Sequence, residues 1–263
     1  MEWSLVCPVK DEIHLLERAL PSFYAVNPTE VILCLDKPAP KNVINAIRKT
    51  VKACNAEHKT RIIEVEQNPD YEFHQAWVRR KGFLEAKYDR ILTTDIDLIL
   101  NENVLKAIRL VGKNNIGLVS CSKRYSYEGF QRIWRNTGME LVRLIGSPRF
   151  TGLYAIWRPH WIDSEDEGIK KLKDPKHGAY REAKVGEDTY LRNCMMRKHK
   201  VIYLEDVGGK ALATNIWDLP QIQFENGRHL ASKEYGILRV LLAVLLQLHA
   251  YALLGWLYEV TKD

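Results

Sequence analysis

Asp95 and Asp97 are the residues of this 263-residue chain whose types and spacing speak most directly of chemistry. They lie within the run Tyr88-Asp89-Arg90-Ile91-Leu92-Thr93-Thr94-Asp95-Ile96-Asp97-Leu98-Ile99-Leu100. If that apolar run is a strand, alternation puts both carboxylates on one side with Ile96 opposite. One hard cation could then bind there, its other positions open to the oxygens of a diphosphate. Taken alone, two such acids equally suit an exposed edge or a turn. A second acidic pair, Glu187-Asp188, opens the helical stretch Gly186-Glu187-Asp188-Thr189-Tyr190-Leu191. By itself that pair is also the ordinary charge preference of a helix N-terminus. Asp36 likewise reads as a turn former ahead of Pro38, and Arg79 or Arg80 as part of a solvated helix face.

The elements that must position these residues follow from periodicity. An apolar run, Trp3 to Pro8, stops at proline and leads into a helix carrying Ile13, Leu15, Leu16, Ala19 and Leu20. Glu30 to Asp36 is a second buried strand, followed by a helix with Val43, Ile44, Ile47 and Val51, then a third strand at Arg61 to Val65. A helix from about Phe73 to Lys87 returns to the Asp95/Asp97 strand. Strands alternating with helices at this spacing imply parallel pairing, right-handed crossovers and a doubly wound α/β sheet. Ligands of such a sheet bind beyond the carboxyl ends of its strands, here Pro8 to Glu12, Asp36, and Asp95/Asp97. Beyond them the pattern predicts a helix over 104–111, a strand over 116–120, an amphipathic stretch over 130–145 and a strand-like run over 150–157. A charged, mobile loop over 164–184, the acidic helix and a strand over 200–204 complete it.

Composition narrows the classes. The hydrophobic fraction of 46% is enough for a real core, and the net charge of +6 favours anionic partners without choosing among them. The basic residues are spread along the chain, with no zinc-finger spacing and no RNP-like aromatic signature, so nucleic acid is not an expected partner. No G-x-G-x-x-G follows the first strand and no Walker lysine loop occurs. The five cysteines, Cys7, Cys34, Cys54, Cys121 and Cys194, never pair as C-x-x-C and read as small buried hydrophobes. With no apolar signal core at the N-terminus, the expected location is cytoplasmic. The stretch 236–260 differs in kind: it nearly supplies the ~20 apolar residues of a bilayer span. It also reads as a helix lying in the membrane surface or docked on a partner. A C-terminal apolar helix with membrane contact is expected, at the cytoplasmic face.

In order and spacing these segments resemble the GT-A glycosyltransferases, closest to the inverting family 2 group that includes dolichol-phosphate sugar synthases, over roughly residues 3 to 206. Cys7-Pro8-Val9-Lys10-Asp11-Glu12 is similar to the family's opening strand and turn, which implies that Pro8, Val9 and Glu12 border the nucleoside. Asp36 is similar to the acid that contacts base or ribose, although the family's D-D-x-S-x-D is reduced here to Leu35-Asp36-Lys37-Pro38. Arg79 or Arg80 resembles the arginine of the "R-N-x-G" segment, and Asp95 and Asp97 match the D-x-D. Gly152, in Thr151-Gly152-Leu153-Tyr154, falls in what resembles the strand beside donor sugar and acceptor. Glu187-Asp188 followed by Tyr190-Leu191 looks like the "E-D-x-x-L" block, which makes Asp188 the base. The downstream histidine of some relatives has no clear counterpart, His229 being the near candidate.

The resemblance implies a GT-A glycosyltransferase domain over 1–230, with a nucleotide-binding half at 1–100 and an acceptor half at 101–230, followed by the apolar helix of 231–263. It implies a UDP- or GDP-sugar donor, Mn2+ or Mg2+ on Asp95 and Asp97, and a glycan or polyprenyl-phosphate acceptor. Arg79, Asp95, Gly152 and Glu187 would line the donor site. Two other readings stand beside it. A sugar-1-phosphate nucleotidyltransferase is also α/β and metal-dependent, but expects a glycine-rich basic loop where Lys10-Asp11-Glu12 stands. A membrane-associated sugar-nucleotide binding module could keep the fold without turnover.

Overall fold

The computed structural model describes residues 1–9, 13–125, 152–171, 187–212, 224, 227–228, 237–238, 241 and 250–261. Its first compact unit comprises Met1–Arg124, Phe150–Lys171 and Glu187–Leu212. Four strands of this unit run parallel: β1 (Ser4–Val9), β2 (Glu30–Asp36), β3 (Thr60–Val65) and β4 (Arg90–Thr93). They lie in the order β3-β2-β1-β4, within a sheet of eight strands. The near-continuous apolar character of β1 and β2 follows from this, because a parallel strand is covered on both faces.

Helices α1 (Ile13–Ala25) and α2 (Lys41–Ala53) carry the chain outward from β1 to β3 and pack on each other. Helix α3 (His74–Glu85) carries it back past β2 and β1 to β4, and right-handed crossovers place it on the opposite face. The sheet therefore reverses its winding between β1 and β4. Val6 O accepts from Thr94 N (3.2 Å), so the even-numbered residues of β1 face β4. The next even residue is Pro8, which has no N–H to give, and β4 has already ended at Thr93. Pro8 thus sits where the two strands part, and the proline leaves no ladder donor orphaned. The expected end of β1 at Pro8 is exceeded by one residue, Val9.

The second half of the sheet is antiparallel. β5 (Leu98–Leu100) pairs with β8 (Lys200–Ala211), and β7 (Tyr154–Trp157) lies between β4 and β6 (Ile116–Tyr125), antiparallel to both. Helix α4 (Val104–Leu110) follows β5. Helix α5 (Arg158–Ser164) follows β7 over a stretch to which periodicity assigned no element, with Pro159 in its first turn, where proline is accommodated. Within the expected loop, Glu167–Lys171 forms a 3-10 turn, and α6 (Glu187–Met196) begins at the acidic pair. A buried cluster joins Val6, Ile32 and Cys34 of the sheet to Val78 and Phe83 of α3, Trp161 of α5, and Leu191 and Met195 of α6. Phe83 meets Trp161 edge-on at 5.2 Å. Trp161 is therefore a core residue. Cys7, Cys34, Cys121 and Cys194 are buried and in no disulfide, and Cys54 is partly exposed.

The second unit comprises Tyr125–Arg149, Leu172–Gly186 and Ala213–Asp263. In it α7 (Ala250–Val260) holds Glu259 to Arg228 at 2.8 Å, with the rings of Phe224 and Tyr258 5.6 Å apart. Tyr251, Leu254, Leu257 and Tyr258 are exposed on α7. No helix among the described residues is long and apolar enough to cross a membrane. The amphipathic stretch over 130–145 and most of 236–249 lie outside the described residues.

α3 approaches the sheet closely because residue 82 is glycine. A β-carbon there would stand 2.7 Å from Cys34 Sγ and would clash with Val6. Gly82→Ala is expected to lower stability by about 1–3 kcal/mol despite alanine's better helix propensity, because the surrounding core cannot give way. Urea denaturation measures this, and an unchanged or higher midpoint would contradict the close packing.

Candidate active site

The close approach of α3 determines where Arg79 goes. One helical turn before Gly82, it is carried on the same face to the end of β4, where it is 3% exposed. A buried guanidinium needs partners for its N–H groups, and it has three. Nη1 donates to Thr93 Oγ1 (2.7 Å), Nη2 to Asp95 Oδ1 (2.8 Å), and Nε to Glu187 Oε1 (2.9 Å). Burial works against its charge, but Glu187, Tyr154 and Asp95 outweigh that and hold it protonated well above its ordinary range. Arg80, one residue on and about 100° round the helix, points elsewhere. It ion-pairs with Glu165 and lies 5.3 Å over the Trp161 ring. Of the two arginines, Arg79 is the one that reaches the acidic turn.

Asp95 and Asp97 do not lie on a strand. β4 ends at Thr93, and the two aspartates sit in the turn that joins it to β5, so strand alternation is not what sets their directions. The turn is closed by Leu98 N donating to Asp95 O (3.3 Å) and anchored by Leu212 N donating to Asp97 O (2.6 Å). Ile96 is buried and pins its middle. Gly152 stands against the side of Asp95 away from Arg79, and any β-carbon at 152 would collide with Asp95 Oδ2. One oxygen of Asp95 is thus bonded and the other is walled by backbone.

Glu187 and Asp188 form the first turn of α6, where negative charge is favoured. Glu187 is buried and Asp188 half-buried. Loss of water pushes the Glu187 carboxyl up to about 7, against the pull of Arg79 and with help from the charges of Asp188 and Asp95. The outer side of α6 is fixed by Asp166, which accepts from Tyr190 Oη, from Arg197 (3.0 Å) and from Gly168 N (2.9 Å).

The structure brings Arg79, Asp95, Gly152 and Glu187 together, with Asp97 in the same turn as Asp95 and Asp188 beside Glu187. Pro8 and Val9 end the adjacent strand β1. Asp36 ends β2, the next strand over, and is half exposed, its Oδ1 3.2 Å from His74 Nε2. Glu12 and His229 lie outside the described residues. Sequence reasoning missed Thr93 and His74. Thr93 carried a usable signal, as a hydroxyl two residues before the acidic turn, whereas His74 reads as an ordinary helix start.

A divalent cation fits the acidic turn by the chemistry of its donors. Among the described residues no three His, Cys, Asp or Glu side chains converge on one point. An ion held by Asp95 and Asp97 would complete its shell with phosphate and water oxygens, as hard octahedral cations do beside a diphosphate.

No protein-family model matches the sequence, and no curated protein matches it in sequence. Solved structures do match in shape. The mannosyltransferase PcManGT of Pyrobaculum calidifontis, solved with GDP-Man and Mn2+, superposes with a TM-score of 0.63 at 16% identity, over 99% of this chain and 74% of that one. TarS 1-349 of S. aureus gives 0.57 at 13% identity, over 98% and 79%. The 4-diphosphocytidyl-2C-methyl-D-erythritol synthase of Anaerococcus prevotii gives 0.51 at 13% identity, over 86% and 94%.

Glu187 has a measurable signature. Its carboxyl titrates higher when folded, about 7 against an ordinary 4.5, so the folded state holds the extra proton between those values. The stability it contributes is present below pH 4.5 and is lost as pH rises through 7. The melting temperature of the native protein minus that of Glu187→Gln should therefore fall between pH 5 and pH 8, and a constant gap would refute the shift. A doubly wound parallel half, an antiparallel second half and an acidic turn at the point where the winding reverses together make this the GT-A fold.

Proposed function

We propose that the chain is a metal-dependent, inverting glycosyltransferase that moves a sugar from a UDP- or GDP-sugar to an acceptor hydroxyl or phosphate. The observation that carries this reading is the tie made by Arg79. It links the turn of Asp95 and Asp97 to the helix start of Glu187 and Asp188, so an acidic cation site and an acidic base site belong to one assembly. The fold shared with PcManGT, which was solved with GDP-Man and Mn2+, supports the donor class.

In this mechanism Asp97, with Asp95 assisting, holds Mn2+ or Mg2+. When bound there, such an ion would supply charge neutralisation to the leaving diphosphate. Pro8, Val9 and Glu12 border the nucleoside, and Asp36 contacts its base or ribose. Gly152, having no β-carbon, lets the segment beside the donor sugar lie close against Asp95. Asp188 accepts the proton of the acceptor hydroxyl, and a single displacement inverts the anomeric centre. For a phosphate acceptor, already ionised, Asp188 orients rather than deprotonates. Residues 1–100 form the donor half and 101–230 the acceptor half. The exposed apolar side chains of α7 support contact of 236–260 with the cytoplasmic face of a membrane, and with it a polyprenyl-phosphate acceptor.

A second reading, a sugar-1-phosphate nucleotidyltransferase, draws on the likeness to the diphosphocytidyl-methylerythritol synthase. It is disfavoured because Val9-Lys10-Asp11-Glu12 contains no glycine-rich loop. Calorimetry with UDP, GDP and their sugar conjugates, with and without Mn2+, separates these from a silent binding module when followed by a turnover assay. Metal-dependent binding should be lost in Asp97→Asn, and no binding of any donor would overturn the proposal. Asp188→Asn should keep donor affinity while transfer to a hydroxyl falls by roughly 100- to 10,000-fold. An active Asp188→Asn variant would remove Asp188 from the base role.

A further inference from the structure

We infer that Arg79 is a positioning residue that couples the cation-binding turn to the helix start bearing the base, rather than a group that binds substrate. The inference rests on the glycosyltransferase reading above. Arg79 is buried, and its Nε, Nη1 and Nη2 are directed at Glu187, Thr93 and Asp95, all protein groups. The helix that carries it has little freedom, since Gly82 sets α3 hard against Val6 and Cys34. Arg79 is therefore a fixed point to which two separate acidic segments are tied.

Each tie has a consequence for a neighbouring group. On one side Arg79 bonds Asp95 Oδ1 while Gly152 walls Oδ2, so the Asp95 carboxylate holds one orientation beside Asp97. On the other side it bonds Glu187, the first residue of α6, and thereby holds the backbone that carries Asp188. The planar fork of a guanidinium satisfies both partners at set angles, whereas an ammonium carries the same charge without that geometry. Charge alone does not make the link.

Coupling of this kind is measured by a double-mutant cycle. Mn2+ affinity in the presence of GDP or UDP is measured by electron paramagnetic resonance for the native protein, Arg79→Gln, Glu187→Gln and the double variant, with melting curves to verify folding. Glu187 is tied to Asp95 through Arg79, so the two substitutions should be non-additive in Mn2+ affinity by about three- to tenfold. Additive effects overturn the coupling. If Arg79→Gln fails to fold, the same cycle is run with Asp95→Asn and Glu187→Gln against donor-nucleotide affinity. In the transfer assay Arg79→Lys should lower kcat by about tenfold or more, with donor KM changed by less than about threefold. A raised KM with unchanged kcat would mean that Arg79 touches substrate, which overturns the assignment. A native protein that takes up Mn2+ with nucleotide but transfers no sugar defeats the transferase reading alone, and the affinity cycle still decides the coupling. A native protein that takes up no Mn2+ overturns both.

Discussion

A positive charge removed from water at the end of β4 is the constraint around which the rest is arranged. Arg79 is tolerated there only because two carboxylates and a hydroxyl from three different segments converge on it. Removing Glu187 would leave part of that charge uncompensated, at a cost of about 3–5 kcal/mol for a buried pair, and removing the more exposed Asp95 would cost less. Glu187 feels the reciprocal of the same constraint. Its burial raises its proton affinity while the arginine opposes the rise, so the helix start is held by an interaction whose strength follows pH.

The sheet supplies the place for this convergence. Winding reverses between β1 and β4, β1 runs on to Val9 while β4 stops at Thr93, and Pro8 removes the backbone donor that would otherwise need a partner across the gap. The acidic turn grows out of that gap. It is pinned by Ile96 in the core and by Leu212 N, so its two aspartates are placed by backbone closure rather than by side-chain alternation.

Much of this was legible in the residues, and the failures have physical causes. The strand Glu30–Asp36 was readable to the residue because a fully covered parallel strand is apolar without interruption. The order strand, helix, strand likewise gave the parallel half. The D-x-D turn was misread as strand because Leu98-Ile99-Leu100 continues the apolar run, and periodicity does not register a two-residue reversal. Helix α5 is only seven residues long, too short for its periodicity to stand out between the strand at 154–157 and the charged stretch that follows. Arg79 and Arg80 were indistinguishable in sequence, since which of two neighbours on a helix is buried depends on where the helix docks. The acidic pair at 187–188 could be placed on a helix start, but its union with Asp95 spans 92 positions of sequence and leaves no local trace.

Gly82 and Arg79 are three residues apart and must share one face of α3, the glycine to let the helix down onto Val6 and Cys34, the arginine to reach Asp95. That spacing makes the segment intolerant of length change in a way that the rest of the crossover is not. One residue inserted between them would rotate the arginine about 100° away, into the buried place that Val78 now fills. The stretch between β3 and His74 is under no such restriction. Insertions and deletions among natural variants of this chain should therefore gather before α3, while the interval from 79 to 82 keeps its length even where its side chains change.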